Sequence, residues 1–406
     1  MKLIQRKQYL QNLMDVMGTP DIKVITGVRR SGKSKLMTAL IQQLLDNDPR
    51  CNIIHINFNL LEYESLKEYH ALYNYIEGQW KEGVSNILLI DEVQMCEGFE
   101  KSINSLNASE KYDIFITGSN AFLLSSDLAT LFTGRTYEVK VYPFSFQEYQ
   151  EYFNGTNIDE SFDNYMLEGG MAGSYLYKNR KDKYQYLNDD VFNALVVRDI
   201  ETKYNVRNKT LLYSLIDYMM DNVGNLTSVR NIANMIPTGK GNENDKTVGT
   251  YIEYLTKAFA FYRIRRYDIK GKKYLNTEDK FYLSDHAFRY ARLGTKNMDY
   301  GHVMENIVAI ELLRRGYEIY VGVLYKKEID FVAMTQNEKI YIQVSDDISR
   351  AETFEREVIP LLKINDAYPK MIIARTRHDE YQYEGVVIVD ISRWLLNLRL
   401  VPITQK

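Results

Sequence analysis

Gly27-Val28-Arg29-Arg30-Ser31-Gly32-Lys33-Ser34 fits the pattern G-x-x-x-x-G-K-[ST] without a mismatch. Just before it lies a short apolar run, Ile22 to Thr26. Just after it, Lys33 to Leu45 sets Leu36, Leu40, Leu44 and Leu45 near one helical face. A buried strand therefore runs into the loop and an amphipathic helix leaves it. This layout turns successive backbone N–H groups and the positive end of the helix dipole toward one point, where phosphate can sit. Glycine in the loop lets the backbone wrap an anion that bulkier residues would hold off. Lys33 would reach the β- and γ-phosphates of a nucleoside triphosphate, and the Ser34 hydroxyl would ligate Mg²⁺. All eight residues, Gly27, Val28, Arg29, Arg30, Ser31, Gly32, Lys33 and Ser34, are assigned to this contact. Arg29 and Arg30 either touch phosphate or face solvent.

A second element stands at Ile87-Leu88-Leu89-Ile90-Asp91-Glu92, four apolar residues ending in two carboxylates. The apolar run predicts a buried central strand, and ligands of open α/β sheets collect at the carboxyl ends of such strands. Asp91 can hold Mg²⁺ through a water shell, while Glu92, one residue on and differently aimed, can polarise an attacking water. Hydrolysis is therefore expected as well as binding. No N-K-x-D base-reading motif for guanine is present, which leaves ATP as the nucleotide.

Further runs at Ile53 to Phe58, Asp113 to Thr117 and Tyr137 to Tyr142 bring the expected strands of residues 1–142 to five. Asn120 to Phe132 is read as another helix. After Pro143 the alternation stops, and residues 143–205 read as a helical connector interrupted by Gly169-Gly170 and Gly173. In residues 206–290, helices at Leu211 to Asp221, Ser228 to Met235 and Lys246 to Lys257 precede strands Phe261 to Tyr267 and Lys280 to Leu283. Three short helices and a hairpin describe a winged helix. Residues 291–406 read helix (Gly301 to Arg314), three strands (Tyr317 to Val321, Glu328 to Ala333, Lys339 to Val344), helix (Ala351 to Ile364), strand (Lys370 to Ala374), a further α/β domain.

The 51 basic and 54 acidic side chains leave a net charge of -3, so nucleic acid or an anionic membrane could be held only by a local patch. Lys257, Arg263, Arg265, Arg266, Lys270, Lys272 and Lys273 form such a patch around the hairpin, opposed there only by Asp268. It makes double-stranded DNA a candidate partner. Cys51 and Cys96 are too few for a disulfide framework, and no apolar run approaches the ~18–20 residues of a spanning helix, so a cytoplasmic protein is expected. Of the 33 tyrosines, Tyr63, Tyr69 and Tyr73 lie at helical spacing and are read as packing residues.

The chain resembles the AAA-type P-loop ATPases of bacteria and archaea that carry a C-terminal domain of unassigned function. The resemblance rests on G-V-R-R-S-G-K-S, on L-L-I-D-E-V-Q, on Thr117-Gly118-Ser119-Asn120-Ala121, on Gly134-Arg135, and on Pro143-Phe144-Ser145-Phe146-Gln147-Glu148. Arg198-Asp199-Ile200, Glu305-Asn306 and Glu328-Ile329-Asp330-Phe331 also match. It implies a P-loop NTPase parallel sheet in the order 5-1-4-3-2, with Ser119 or Asn120 as the polar sensor near the γ-phosphate. It also implies Arg135 as an arginine finger, delivered by a homo-oligomer or by domain closure. Read from the residues alone, Arg135 equally fits an ion pair with a carboxylate. The terminal region resembles the restriction-endonuclease-like fold, where an acid on the first helix, an aspartate on the second strand and D/E-x-K on the third bind Mg²⁺. Glu305 and Asp330 occupy the first two positions. The third reads Gln343-Val344-Ser345, without carboxylate or lysine, which implies a degenerate site.

These readings converge on an ATP-hydrolysing motor or switch that moves its C-terminal domains. The alternatives are a nucleotide-gated DNA-binding switch with slow hydrolysis and, against the degenerate motif, an ATP-regulated metal-dependent nuclease.

Overall fold

The computed structural model describes residues 2–118, 131–132, 134–236, 245–295, 299–325 and 327–397. The chain divides into two compact units, Met1–Tyr142 and Pro143–Lys406.

In the first unit, helix α1 (Lys7–Asp15) precedes β1 (Ile22–Thr26), α2 (Lys33–Asn47), β2 (Asn52–Asn57), α3 (Tyr69–Gly78), β3 (Asn86–Asp91), α4 (Phe99–Ala108), β4 (Asp113–Thr117) and β5 (Thr136–Lys140). The strands pair in parallel in the order β2-β3-β4-β1-β5, which is the expected 5-1-4-3-2 read from the other edge. Every residue of β1 and β3 is buried, as in parallel strands covered on both faces. Lys23 on β1 is buried with them, its ammonium held by the Thr19 carbonyl at 2.7 Å and Asp113 Oδ1 at 2.5 Å. Helix α2 buries Leu36, Met37, Ala39, Leu40 and Leu44. Leu45, expected on that face, is exposed because it lies about 100° round from Leu44. Most of the helix expected at Asn120 to Phe132 falls outside the described residues.

The second unit opens with α5 (Phe146–Phe153), whose Ser145 and Glu148 form a reciprocal capping box. It continues through α6 (Ile158–Glu168) and α7 (Arg180–Gln185) into wide i→i+5 turns over Tyr186–Asn193 and Val196–Thr202. Helices α8 (Lys209–Asp221), α9 (Val229–Met235) and α10 (Asp245–Lys257) lead into the hairpin of β6 (Phe261–Asp268) and β7 (Lys273–Leu283). There follow α11 (Ala287–Leu293), α12 (Tyr300–Arg314), β8 (Glu318–Leu324), β9 (Lys327–Met334), β10 (Lys339–Ser345), α13 (Ala351–Leu362), β11 (Lys370–Ala374), β12 (Tyr381–Tyr383), β13 (Val386–Asp390) and α14 (Ile391–Leu396).

The hairpin is not a free wing. Arg266, Tyr267 and Asp268 of β6 pair in parallel with Val321, Gly322 and Val323 of β8, so one sheet runs β12-β13-β11-β10-β9-β8-β6-β7 across the boundary expected at residue 290. The physical reason is that a hairpin alone leaves two open edges, and β8 satisfies one of them. On one face of this sheet Val358 and Leu361 of α13 share a core with Val332, Tyr341, Ile372 and Ile388. Toward the hairpin the same core ends in Tyr267 and Ile269, with Tyr320 packed against it. Among the described residues, no helix is long and apolar enough to cross a membrane.

Candidate functional site

The loop between β1 and α2 is shaped by close backbone approach. Gly27 has φ 141°, and a Cβ there would lie 2.1 Å from the Val141 carbonyl oxygen, so only glycine fits. Gly32 opens α2 at φ 98°. The Lys33 ammonium folds back across the loop and donates to the carbonyls of Gly27 at 2.8 Å and Val28 at 3.2 Å. Val28, Ser31 and Lys33 are buried, Arg29 is half-buried, and Arg30 and Ser34 are exposed, Arg30 at φ 62°. Among the described residues the buried Ser31 hydroxyl has no hydrogen-bond partner.

A residue that sequence reasoning missed braces this loop from behind. Arg6, only 4% exposed, donates to the Ser31 carbonyl at 2.9 Å and to the Tyr142 carbonyl at 2.8 Å, and its guanidinium lies 4.5 Å from the Tyr9 ring centroid. The only sequence signal was a basic residue ahead of a short helix, which charge pattern does not distinguish from a solvated one.

Asp91 ends β3 and is 1% exposed. The Thr117 hydroxyl, at the end of β4, donates to Asp91 Oδ1 and accepts the backbone N–H of Glu92 at 3.1 Å. One hydroxyl thus locks both carboxylate-bearing residues to the neighbouring strand. Glu92 takes a left-handed backbone, φ 58°, so the chain turns between the two acids and aims them apart. Its Oε2 accepts from Gln94 Nε2 at 2.5 Å. Because β4 lies between β1 and β3, the phosphate loop and Asp91 stand at the same end of the sheet, two strand spacings or about 10 Å apart. That separation leaves room for a metal ion and a terminal phosphate. The glycine cradle, the orphaned Ser31 hydroxyl and the buried Asp91 all fit a magnesium–triphosphate group.

Ser119 and Asn120 lie outside the described residues. Arg135 is exposed and precedes β5; its carbonyl accepts the N–H of Ile22, the first residue of β1. It therefore stands at the amino end of the sheet, roughly 13 Å of strand away from the loop that follows Thr26. Among the described residues it makes no ion pair. The structure does not bring Arg135 together with the described site residues of its own chain, the 27–34 loop, Asp91 and Glu92.

In the second unit, Glu305 and Asp330 do converge, and a lysine that the third-strand motif left out joins them. Lys280 of β7, 3% exposed, places its ammonium 2.7 Å from Glu305, 2.6 Å from Glu328 and 3.7 Å from Asp330. The Tyr282 hydroxyl donates to the same Glu305 oxygen at 2.5 Å. Gln343, standing where the motif has a carboxylate, accepts the N–H of Asp330 at 2.7 Å and donates to Glu357 at 2.9 Å. Among the described residues no group of three His, Cys, Asp or Glu side chains is placed to hold a metal ion. The cation of this cluster is Lys280.

Burial, and after it the charge of Glu305, pushes the Asp330 carboxyl up to about 8, with Lys280 acting against the shift. A raised folded value means that the folded chain binds more protons than the unfolded one between about pH 4 and about pH 8, so stability falls as pH rises through that window. Asp330→Asn keeps an acceptor for the Val344 N–H, 2.9 Å away, and is expected to flatten this decline. Urea unfolding at about pH 5 and about pH 8 measures it. An equal fall in parent and variant would remove Asp330 as the source.

A family model described as an AAA domain matches residues 19–150, and one described as a domain of unknown function matches residues 159–299. An uncharacterized protein of Haemophilus influenzae is 37% identical over 97% of this chain and 99% of its own length. An uncharacterized protein of Methanocaldococcus jannaschii is 26% identical over 91% of this chain and 85% of its own. Among solved structures, the Aeropyrum pernix ORC1 protein in complex with DNA is 11% identical, covering 76% of this chain and 93% of that one, with a TM-score of 0.31.

Proposed function

From a chain that belongs to the AAA-type P-loop ATPases with a C-terminal domain of unknown function, we propose an enzyme that binds ATP with Mg²⁺ and hydrolyses it. Turnover is coupled to movement of the C-terminal unit. The observation that carries the reading is the joint placement of the glycine-cradled loop and the Thr117-locked acids at one end of one sheet. Backbone N–H groups of Gly27 to Ser34 receive the phosphates. Lys33 leaves the Gly27 and Val28 carbonyls for the β- and γ-phosphates. Ser34 and Asp91 would hold Mg²⁺, which when bound neutralises charge on the phosphates. Glu92, turned away from Asp91, orients the attacking water and draws its proton. Ser119 or Asn120 senses the γ-phosphate. DNA as the surface on which the motion acts is a second reading, supported by Arg265, Lys270, Lys272 and Lys273. It is weakened by pairing of Lys257 with Glu253, Arg263 with Asp279 and Arg266 with Glu278.

Arg135, at the far end of its own sheet, serves as an arginine finger for a second copy of the chain. Glu92→Gln is therefore expected to keep ATP affinity and lose turnover by about a hundredfold or more, and Arg135→Ala to do likewise. Mixing the two inactive variants should restore part of the rate, because some interfaces then combine an intact Glu92 with an intact Arg135. Parental turnover by Glu92→Gln would remove that residue from catalysis. An inactive mixture would end the finger in trans.

A further inference from the structure

We propose that the hairpin end of the eight-stranded sheet is a binding surface for single-stranded nucleic acid, with Tyr274, Tyr320, Tyr325 and Tyr368 stacking bases and Lys270, Lys272, Lys273 and Lys339 holding phosphates. Register puts Tyr267, Tyr274 and Tyr320 on one face. Tyr267 of β6 stands opposite Tyr274 of β7 and Gly322 of β8, and Tyr320, two residues before Gly322, points the same way. Ring centroids lie 5.5 Å apart for Tyr267 and Tyr274 and 5.0 Å for Tyr274 and Tyr320, tilted by 59° and 44°. The row continues through Lys339, whose ammonium is 5.4 Å from the Tyr267 ring and 4.8 Å from that of Tyr368, and Lys270 lies 4.8 Å from the Tyr325 ring.

Tyr274 is 59% exposed, Tyr325 69% and Tyr368 47%, while Tyr320 is half-buried against the edge of the core that α13 shares. Stacking needs a free base face, which a duplex keeps for itself; an unpaired strand offers one at every nucleotide. The charge is complementary too. Burial pushes the Lys339 ammonium below its ordinary value, the nearby Asp366 acts against that shift, and Lys272 adds a smaller push in the same direction as burial. The neighbouring acids are engaged locally: Asp268 accepts from the Gly271 N–H, Glu318 from the Tyr320 hydroxyl, and Asp366 from the Tyr341 hydroxyl.

The inference deepens the DNA reading by naming the strand state and the contacts, and it stands whether or not ATP is turned over. The test is fluorescence anisotropy of the full chain with labelled oligothymidylate of about 20 nucleotides and a duplex of equal length. The expected result is preference for the single strand. Four lysine contacts predict a log–log salt slope of about -3. Tyr274→Ala with Tyr325→Ala should weaken binding roughly tenfold or more, while the matching phenylalanine pair binds like the parent. Both positions are exposed, so the variants keep the fold. Single-strand affinity unchanged by the alanine pair, or equal affinity for duplex, overturns the proposal and leaves the DNA reading standing on charge. No binding to either probe overturns both. A doubled solution mass that falls to the monomer in the alanine pair would assign this face to a second copy.

Discussion

Lys33→Ala should raise the Kd for magnesium–ATP about a hundredfold, or roughly 2.7 kcal/mol, as truncating one partner of a charge-assisted contact does. The ammonium has two sets of partners. Without nucleotide it is bonded to the Gly27 and Val28 carbonyls, so the loop already holds it 2.8 Å and 3.2 Å from its own backbone. With nucleotide, phosphate oxygens compete for the same charge, and they win because they carry full negative charge whereas carbonyls carry partial charge. Loss of the side chain removes both sets. Isothermal titration with a non-hydrolysable ATP analogue, alongside an unfolding curve, separates lost affinity from lost fold. Parental affinity in a folded variant would sink the nucleotide reading of the loop.

Lys280→Met should destabilise the chain by about 3–5 kcal/mol, because it strips the cation paired with Glu305, Glu328 and Asp330 among the described residues while Glu305 stays buried. Glu328, 36% exposed, should contribute least, since water screens it. Neutralising the acids as well, with Glu305→Gln and Glu328→Gln beside Lys280→Met, should recover a large share of the loss, because the cost lies in the uncompensated charge rather than the missing contact. Urea midpoints for the single and triple variants read this directly. A loss under about 1 kcal/mol for the single variant would mean that the ion network holds nothing in place.

Much of the nucleotide site was legible because its parts are contiguous. Ile22 to Ser34 carries strand, loop and helix start in thirteen successive positions, and Ile87 to Glu92 carries a buried strand and its acidic end in six. Thr117 was visible only as part of a quoted motif. Its use, one hydroxyl serving both Asp91 and Glu92, depends on β4 lying beside β3, and nothing in the residues around 117 states that. The second unit was legible as elements and not as an assembly. The three helices stand where periodicity put them and the hairpin's second strand starts seven residues earlier than expected, at Lys273, yet hairpin pairing with β8 joins segments more than fifty residues apart. The third-strand motif Gln343-Val344-Ser345 led away from a lysine because the lysine comes from another strand, at 280.

By itself the sequence determined what acts over a few neighbours: the phosphate loop, the acidic strand end, the five strands and the helix that leaves the loop. Short-range periodicity and glycine geometry encode those features within one turn or one strand. Tertiary structure alone decided that Arg135 stands at the opposite end of the sheet from its own loop, that Lys280 lies among three carboxylates, and that Tyr267, Tyr274 and Tyr320 of three strands come together. Each of these follows from which strands become neighbours and in what register, and that choice is made by burial summed over the whole sheet rather than by any residue in it.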